Sequence, residues 1–363
     1  MRWIGPAAAA CRRAAVPASV LFAALAIFAS PITSAAPPDS VADFYRGKQV
    51  RIVVGFGPGA AYDAFARLYA RFLPKYIPGS PAIIVENKPG AASLIAANYI
   101  YSAAPKDGTV LATINRNMPL LQELGDKNVR FDAKNFTWIG SPSDYSSDGF
   151  FLLVRKDVAA QKSLLGDRTG DQITIAATAR GSTSSDIAHL LKTTLNLNVR
   201  IIDGYRDDSA LVLAVDNHEV DGAMIGITAT NAVRPDWMRK GGEMTALLQF
   251  ARSTRHELFP DAPTARELAK DQRTRDLIEL AELPFKLGFP LIAPPEVPAD
   301  RVAALQSAYM KMSADPEYLE QITNLRLMFS PVDGKSLLGT VKRIQSEPSS
   351  VKEDMKSVWG IER

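Results

Sequence analysis

Cysteine is almost absent from this chain: one residue in 363, Cys11, stands near the N-terminus. That excludes a disulfide framework, and it leaves no cysteine nucleophile or cysteine-ligated metal site in the body of the protein. Charge of one sign is missing as well. The 42 Lys and Arg face 39 Asp and Glu, and three of the basic residues, Arg2, Arg12 and Arg13, fall in a first 35 residues with no acidic partner. The remainder balances at 39 against 39, so there is no broad basic field to attract nucleic acid. Histidine is scarce too: His189, His218 and His256 are scattered, and neither an HExxH nor a GxSxG pattern occurs. After the N-terminal segment no apolar run is long enough to span a bilayer. What is present, 47% hydrophobic and 22% charged residues, is a globular composition of a length that suits about two domains.

The N-terminus carries an address. Three arginines precede an apolar stretch at 14–29, followed by Pro31 and the small residues Thr33, Ser34 and Ala35. This is the layout of a cleavable secretory signal peptide over residues 1–35. The stretch falls short of the roughly 20 apolar residues of a membrane span and contains Pro17. Cys11 lies ahead of the apolar core, on the wrong side for lipid attachment. The mature chain is expected to begin at Ala36, without cysteine, in the periplasm.

From there strands and helices alternate. The β-branched run 50–54 leads through a glycine turn at 55–60 into Tyr62, Phe65, Tyr69, Phe72 and Leu73 at helical spacing. A strand at 82–85, a turn at 87–90, a helix at 93–102 and a strand at 109–114 repeat the scheme. So do the strand 173–176, the hydroxyl-rich segment 181–185 and the helix carrying Ile187, Leu190, Leu191 and Leu195. Strands at 199–202, 220–225 and 245–250 follow, and the C-terminal third is mostly helical. Such alternation predicts an α/β fold with parallel strands.

Three loops concentrate the chemistry. The first, with Phe56, Gly57, Pro58, Gly59 and Ala60, joins a strand to a helix whose unpaired amides and dipole favour an anion. Asp63, in that helix's first turn, reads as a capping or dipole-favourable residue before a ligand contact. The second loop, with Asn87, Gly90, Ala91 and Ala92, again precedes a helix. The third, with Ser182, Thr183, Ser184 and Ser185, offers four hydroxyls at a helix start, where capping is their commoner use. All three lie at carboxyl ends of strands, where open α/β sheets bind ligands. Arg116 follows another strand end, where it would pair bidentately with a distal carboxylate or form a surface or hinge salt bridge. An enzyme reading stands beside this one. Gly55, Gly57 and Ala60 with Glu86 imitate a dinucleotide fingerprint, which would make the chain an exported oxidoreductase using FAD or NAD. However, Glu86 lies 29 residues beyond Gly57, where roughly 20 is usual.

At these loops the chain resembles the Bug-type receptors of tripartite tricarboxylate transporters. The resemblance rests on Phe44-Tyr45-Arg46-Gly47-Lys48, on Val53 to Gly59 with Asp63 and Arg67, and on Val85-Glu86-Asn87-Lys88-Pro89-Gly90-Ala91. It continues in order through Pro105-Lys106-Asp107-Gly108, Phe136-Thr137-Trp138-Ile139-Gly140, Gly204-Tyr205-Arg206, Val220-Asp221-Gly222 and Pro260-Asp261-Ala262-Pro263-Thr264, and ends at Ala293-Pro294-Pro295-Glu296-Val297-Pro298. What it implies is a two-domain periplasmic binding protein of type II, each domain a mostly parallel sheet flanked by helices, with residues 44–145 plus 246–363 in one domain and 146–245 in the other. By that resemblance the protein is no enzyme and holds no cofactor. As a monomer it would close on a small organic carboxylate and deliver it to one large and one small membrane subunit. The carboxylate would sit on the backbone amides of the first two loops, with the Ser/Thr loop and Tyr205 closing from the other domain. Ala60 and Ala92 depart from the family, where glycine is usual. A sensor that signals without transport is compatible with the same residues.

Overall fold

The computed structural model describes residues 40–144, 149–165 and 171–361. The expected signal peptide, its cleavage point and Cys11 lie outside the described residues. Strand β1 (Gln49–Val54) buries Val50, Ile52, Val53 and Val54 completely, as a strand covered on both faces must. It pairs in parallel with β2 (Ala82–Asn87) and with β3 (Val110–Thr113), and the helix Ala61–Phe72 lays Phe65, Tyr69 and Phe72 on this layer. Beyond β3 the pairing reverses. The short strand β10 (Leu291–Ala293) runs antiparallel between β3 and β4 (Thr137–Ser141), and β11 (Val332–Asp333) closes the edge. The order of this first sheet is β11-β4-β10-β3-β1-β2.

The second sheet has the order β7-β6-β8-β5-β9, from β5 (Phe150–Arg155), β6 (Ile173–Thr178), β7 (Val199–Tyr205), β8 (Gly222–Gly226) and β9 (Met244–Phe250). Here β6 pairs in parallel with β7 and β8, whereas β5 is antiparallel to both β8 and β9. The sheets are therefore mixed rather than mostly parallel. Parallel pairing covers the stretches where strand, loop and helix alternate, and the antiparallel strands come from segments that cross between the sheets. The chain passes to the second sheet between β4 and β5 and returns between β9 and β10, so residues through Phe250 stay with the second sheet, beyond the expected limit of 245.

Two sheets, each flanked by helices and joined by two crossings, form the two-domain periplasmic binding protein fold. The C-terminal helix Ser349–Trp359 touches both halves. Its Lys352 pairs at 2.7 Å with Glu123 on the helix Met118–Glu123, and its Trp359 donates at 3.0 Å to the carbonyl of Asp186 on the helix Thr183–Thr194. No helix among the described residues is long and apolar enough to cross a membrane.

Candidate functional site

The carboxyl ends of the parallel strands from both sheets converge on one cavity of about 620 Å³. From the first sheet comes the loop after β1. Gly55 continues the ladder, its amide donating to Thr113 O at 3.0 Å. A Cβ on Gly55 would lie 1.8 Å from Ser93 Oγ, so only glycine fits. The Ser93 hydroxyl in turn accepts from the Asn115 amide at 3.1 Å, locking the second loop onto the end of β3. Phe56 stacks on Tyr62, with ring centroids 4.4 Å apart. Ala60 has no side chain to cap the helix Ala61–Phe72, and first-turn amides lack intrahelical acceptors. Ala61 and Tyr62, at this helix start, line the cavity wall.

Asn87, expected as a ligand contact, and Asp63, read as a capping or dipole-favourable residue before a ligand contact, do not line the cavity. They brace its wall instead. The Asp63 carboxylate, 2% exposed, accepts from Gly59 N at 2.9 Å and from Arg67 Nε at 2.8 Å. Asn87 Nδ2 ties Asp63 Oδ1 to the Phe56 carbonyl at 2.9 and 3.0 Å. Burial pushes the Asp63 carboxyl up, but these hydrogen bonds outweigh it and hold the group below its ordinary value. Gly59 also misses the main cavity. It lines a gap of about 20 Å³ beside it, shared with Ser209 and Val233 of the other half.

The second loop has an unusual backbone. Gly90, Ala91, Ala92 and Ser93 take φ values of 137°, 46°, 50° and 84°, a left-handed turn closed by Ser93 N donating to Gly90 O at 3.0 Å. Left-handed conformations in non-glycine residues cost roughly 1–3 kcal/mol each and persist only where neighbours over-determine them. Here Gly55, Ser93 and Asn115, whose Nδ2 reaches Ala92 O at 3.3 Å, supply that constraint. Gly90, Ala91 and Ala92 all line the cavity.

From the second sheet comes the hydroxyl loop, and its hydroxyls are committed to the protein. Ser182 Oγ caps the Ser185 amide and bonds with Thr178 Oγ1. The Ser184 hydroxyl donates to Met224 O at 2.6 Å, and Thr183 Oγ1 donates across the cleft to Asn115 Oδ1 at 3.4 Å. Ser185, fully buried, misses the cavity: its hydroxyl donates to Asp203 Oδ1 at 2.6 Å, while His189 Nε2 meets Asp203 Oδ2 at 2.8 Å. With the carboxylate between serine and imidazole, the histidine cannot accept the serine proton, so this trio is no catalytic triad. What the loop offers the cavity is the helix start, where the Thr183 and Ser184 amides remain after Ser182 has taken those of Ser185 and Asp186.

Asp186 links the halves. Its carboxylate accepts from Asn117 Nδ2 at 3.2 Å and from the Gly181 amide at 3.1 Å. Burial pushes its carboxyl up to about 7, against these hydrogen bonds and the nearby Arg180.

Arg116 does line the cavity. It is 3% exposed, with its guanidinium 4.7 and 4.8 Å from the ring centroids of Phe285 and Phe289, a buried and not a surface position. Tyr205 does not line it, whereas the adjacent Arg206, Asp207 and Asp208 do. Of the expected residues the structure thus brings together Phe56, Gly57, Pro58, Ala60, Gly90, Ala91, Ala92, Arg116, Ser182, Thr183 and Ser184. Sequence reasoning missed Asn115 and Thr228, although both follow strand ends and the same rule would have found them. It also missed Phe150 and Phe289, which no motif marks. Glu86, the acidic residue of the dinucleotide reading, is ion-paired with Arg51 at 3.1 Å and does not line the cavity.

Residues 70–347 match the model of the tripartite tricarboxylate transporter family receptor. A UPF0065 protein of Bordetella pertussis is 28% identical over 290 residues, covering 78% of this chain and 82% of that one. Among solved structures, the periplasmic binding protein BugD superposes with a TM-score of 0.65 at 20% identity, covering 88% of this chain and 99% of its own. MatC from Rhodopseudomonas palustris, solved with bound malate, superposes with a TM-score of 0.61 at 21% identity, covering 85% and 99%.

Proposed function

We propose a transport role from an established premise: the chain belongs to the tripartite tricarboxylate transporter receptor family. In this reading it is an extracytoplasmic receptor that binds a small organic carboxylate between its two halves and hands it to a large and a small membrane subunit. One observation carries it. Two helix starts, at Ala61 and Thr183, and the left-handed turn at 91–93 come from different sheets onto one cavity that also holds the buried Arg116. Helix starts attract anions, and a buried guanidinium matches a carboxylate. The malate bound by MatC supports the same ligand class. Binding, rather than catalysis, is what the committed hydroxyls and the Ser185–Asp203–His189 arrangement are suited to. We place the second domain at about 146–250, with hinge bending between the halves admitting the ligand.

Thermal shift of the periplasmic protein against a panel of carboxylates tests the reading, because a ligand that binds only the native state raises Tm by mass action. At least one acid should raise it, and solution scattering should show compaction with that acid. A panel without effect overturns the proposal. Export is tested separately: mass spectrometry should find the periplasmic chain starting near Ala36, and an intact residue 1–35 segment there would contradict it. Cells lacking the gene should lose uptake of the bound acid but keep their response to it. The reverse pattern would make the protein a sensor.

A further inference from the structure

The walls of the cavity define the ligand more narrowly than a carboxylate. Four aromatic rings line it, Phe56, Tyr62, Phe150 and Phe289. Three of them are mutually braced, Tyr62 meeting Phe56 at 4.4 Å and Phe289 edge-on at 4.8 Å between centroids, and Phe150 packs edge-on against Phe285 at 5.5 Å. Much of the remaining wall is alanine, proline and glycine. A second carboxylate placed among these rings would be desolvated with no hydrogen-bonding partner on them, which is strongly unfavourable.

The charge balance agrees. Among the described residues the charged side chains on the wall are Arg116 and Arg206 against Asp207 and Asp208, and no lysine or histidine joins them. Arg206 is 87% exposed and engaged by Asp207 at 2.8 Å, whereas Arg116 is buried, at 3% exposure. A tricarboxylate would meet no excess of positive side chains here, whereas one carboxylate suits the helix starts and Arg116 together. The hydroxyls point the same way. The Ser184 proton goes to Met224 O and the Thr183 proton to Asn115 Oδ1, while Thr178 and Ser182 bond with each other. A ligand with several polar groups would have to compete with these bonds. Size is the last constraint: about 620 Å³ falls among pockets that enclose drug-sized molecules.

We infer that the ligand is an apolar monocarboxylate of aromatic size, its carboxylate against the helix starts and its ring among Phe56, Tyr62, Phe150 and Phe289, rather than a di- or tricarboxylate. This rests on the carboxylate-receptor reading above and deepens it. Titration calorimetry on the purified mature chain, with benzoate, phenylacetate and cyclohexanecarboxylate against malate, adipate and citrate, separates the two claims. At least one monoacid should bind tenfold or more tighter than every polyacid, and benzyl alcohol, the uncharged counterpart, should not bind. Phe56→Ala, at a half-buried position, should weaken that monoacid at least fivefold in a variant that still folds cooperatively, at a somewhat lower Tm because the stack on Tyr62 is lost. If Phe56→Ala fails to fold, Phe150→Leu should give the same loss. A polyacid that binds tighter than all three monoacids overturns this inference and leaves the receptor reading standing. Silence from both series overturns both. Unchanged monoacid affinity in the folded variant overturns the placement of the ring, and with it the inference.

Discussion

The two sides of the cavity reach the same electrostatic result by opposite local means. On the first sheet the wall is glycine and alanine, with a backbone bent into four consecutive positive-φ residues at 90–93. On the second sheet it is serine and threonine in an ordinary capped helix start, from Ser182 to Ser185. The hydroxyl-rich side looks the more polar, yet its side chains bond to protein atoms and present backbone amides, as the glycine side does. A residue's type thus says less about what it gives a ligand than where its hydrogen bonds already go.

The sharpest way to break that comparison is one substitution made twice, two residues apart. A Cβ at Gly55 would lie 1.8 Å from Ser93 Oγ, whereas one at Gly57 would meet nothing within 4 Å. Gly55→Val should therefore destabilise by about 2–4 kcal/mol, as overpacking with a displaced loop does, and abolish binding. Gly57→Val should keep Tm within a degree or two and still lose affinity, because its side chain projects where the ligand lies. Denaturation and calorimetry on both variants check this, and equal stability of the two would refute the locking role of Ser93. Gly59 is a poorer probe of close approach. Its φ of +86° strains any side chain, and it faces the small side gap.

The next effect is a pH dependence. Asp186 has a folded-state carboxyl raised to about 7 by burial, against an ordinary value of 3.8. Its contribution to stability is therefore fully present below about pH 4 and is lost as pH rises through about 7. Asp186→Asn removes the titration, so the variant should gain on the parent between about pH 4 and 8, by an amount on the order of a few kcal/mol at most. Asn117 faces this carboxylate from the other half and Arg180, Gly181 and Asp203 from its own, so ligand affinity should also lose some of its pH dependence. Parallel melting curves for parent and variant across that range would refute the assignment.

Much of this site was legible because anion cradles are local. Strand, small-residue loop and helix start are adjacent in the chain, so residues 55–60, 87–92 and 182–185 were marked by spacing alone. What spacing could not reveal is which atoms face inward. Asp63 and Asn87 turned out to brace Phe56 and Gly59, Ser185 to hold Asp203, and Tyr205 to stand outside the wall while Arg206 lines it. The antiparallel strands were harder still. Leu291–Ala293 is three residues long and owes its place to pairing with Val110–Thr113 and Thr137–Ser141, far away in sequence. Phe150 and Phe289 reach the cavity by the same long-range route, and no periodicity reports them.

Ser184→Ala gives a smaller effect on the hydroxyl side. It removes the 2.6 Å bond to Met224 O and should cost about 1 kcal/mol of stability, as loss of one buried hydrogen bond does. Affinity should change less than in Gly57→Val, since the Ser184 amide remains. A loss of affinity without loss of stability would mean that the hydroxyl turns to the ligand after all.

The smallest expected change lies on the strained side. Ala92 sits at φ 50° and ψ 38°, a conformation that glycine adopts freely and alanine only at a cost of roughly 1–2 kcal/mol. Ala92→Gly relieves that strain but gives the unfolded chain more freedom, which costs about 0.4–1 kcal/mol. The two partly cancel, leaving a rise of about 0–1.6 kcal/mol, centred below about 1 kcal/mol. Binding is the more informative measurement. Gly181 approaches from the opposite side so closely that a Cβ on it would lie 3.8 Å from the Ala92 methyl. Removing that methyl widens the cleft where the two halves meet, and should improve the relative affinity for the bulkier members of a carboxylate series while leaving the smaller ones nearly unchanged. A uniform shift across the series would mean that Ala92 acts through closure of the halves and not through the space it fills.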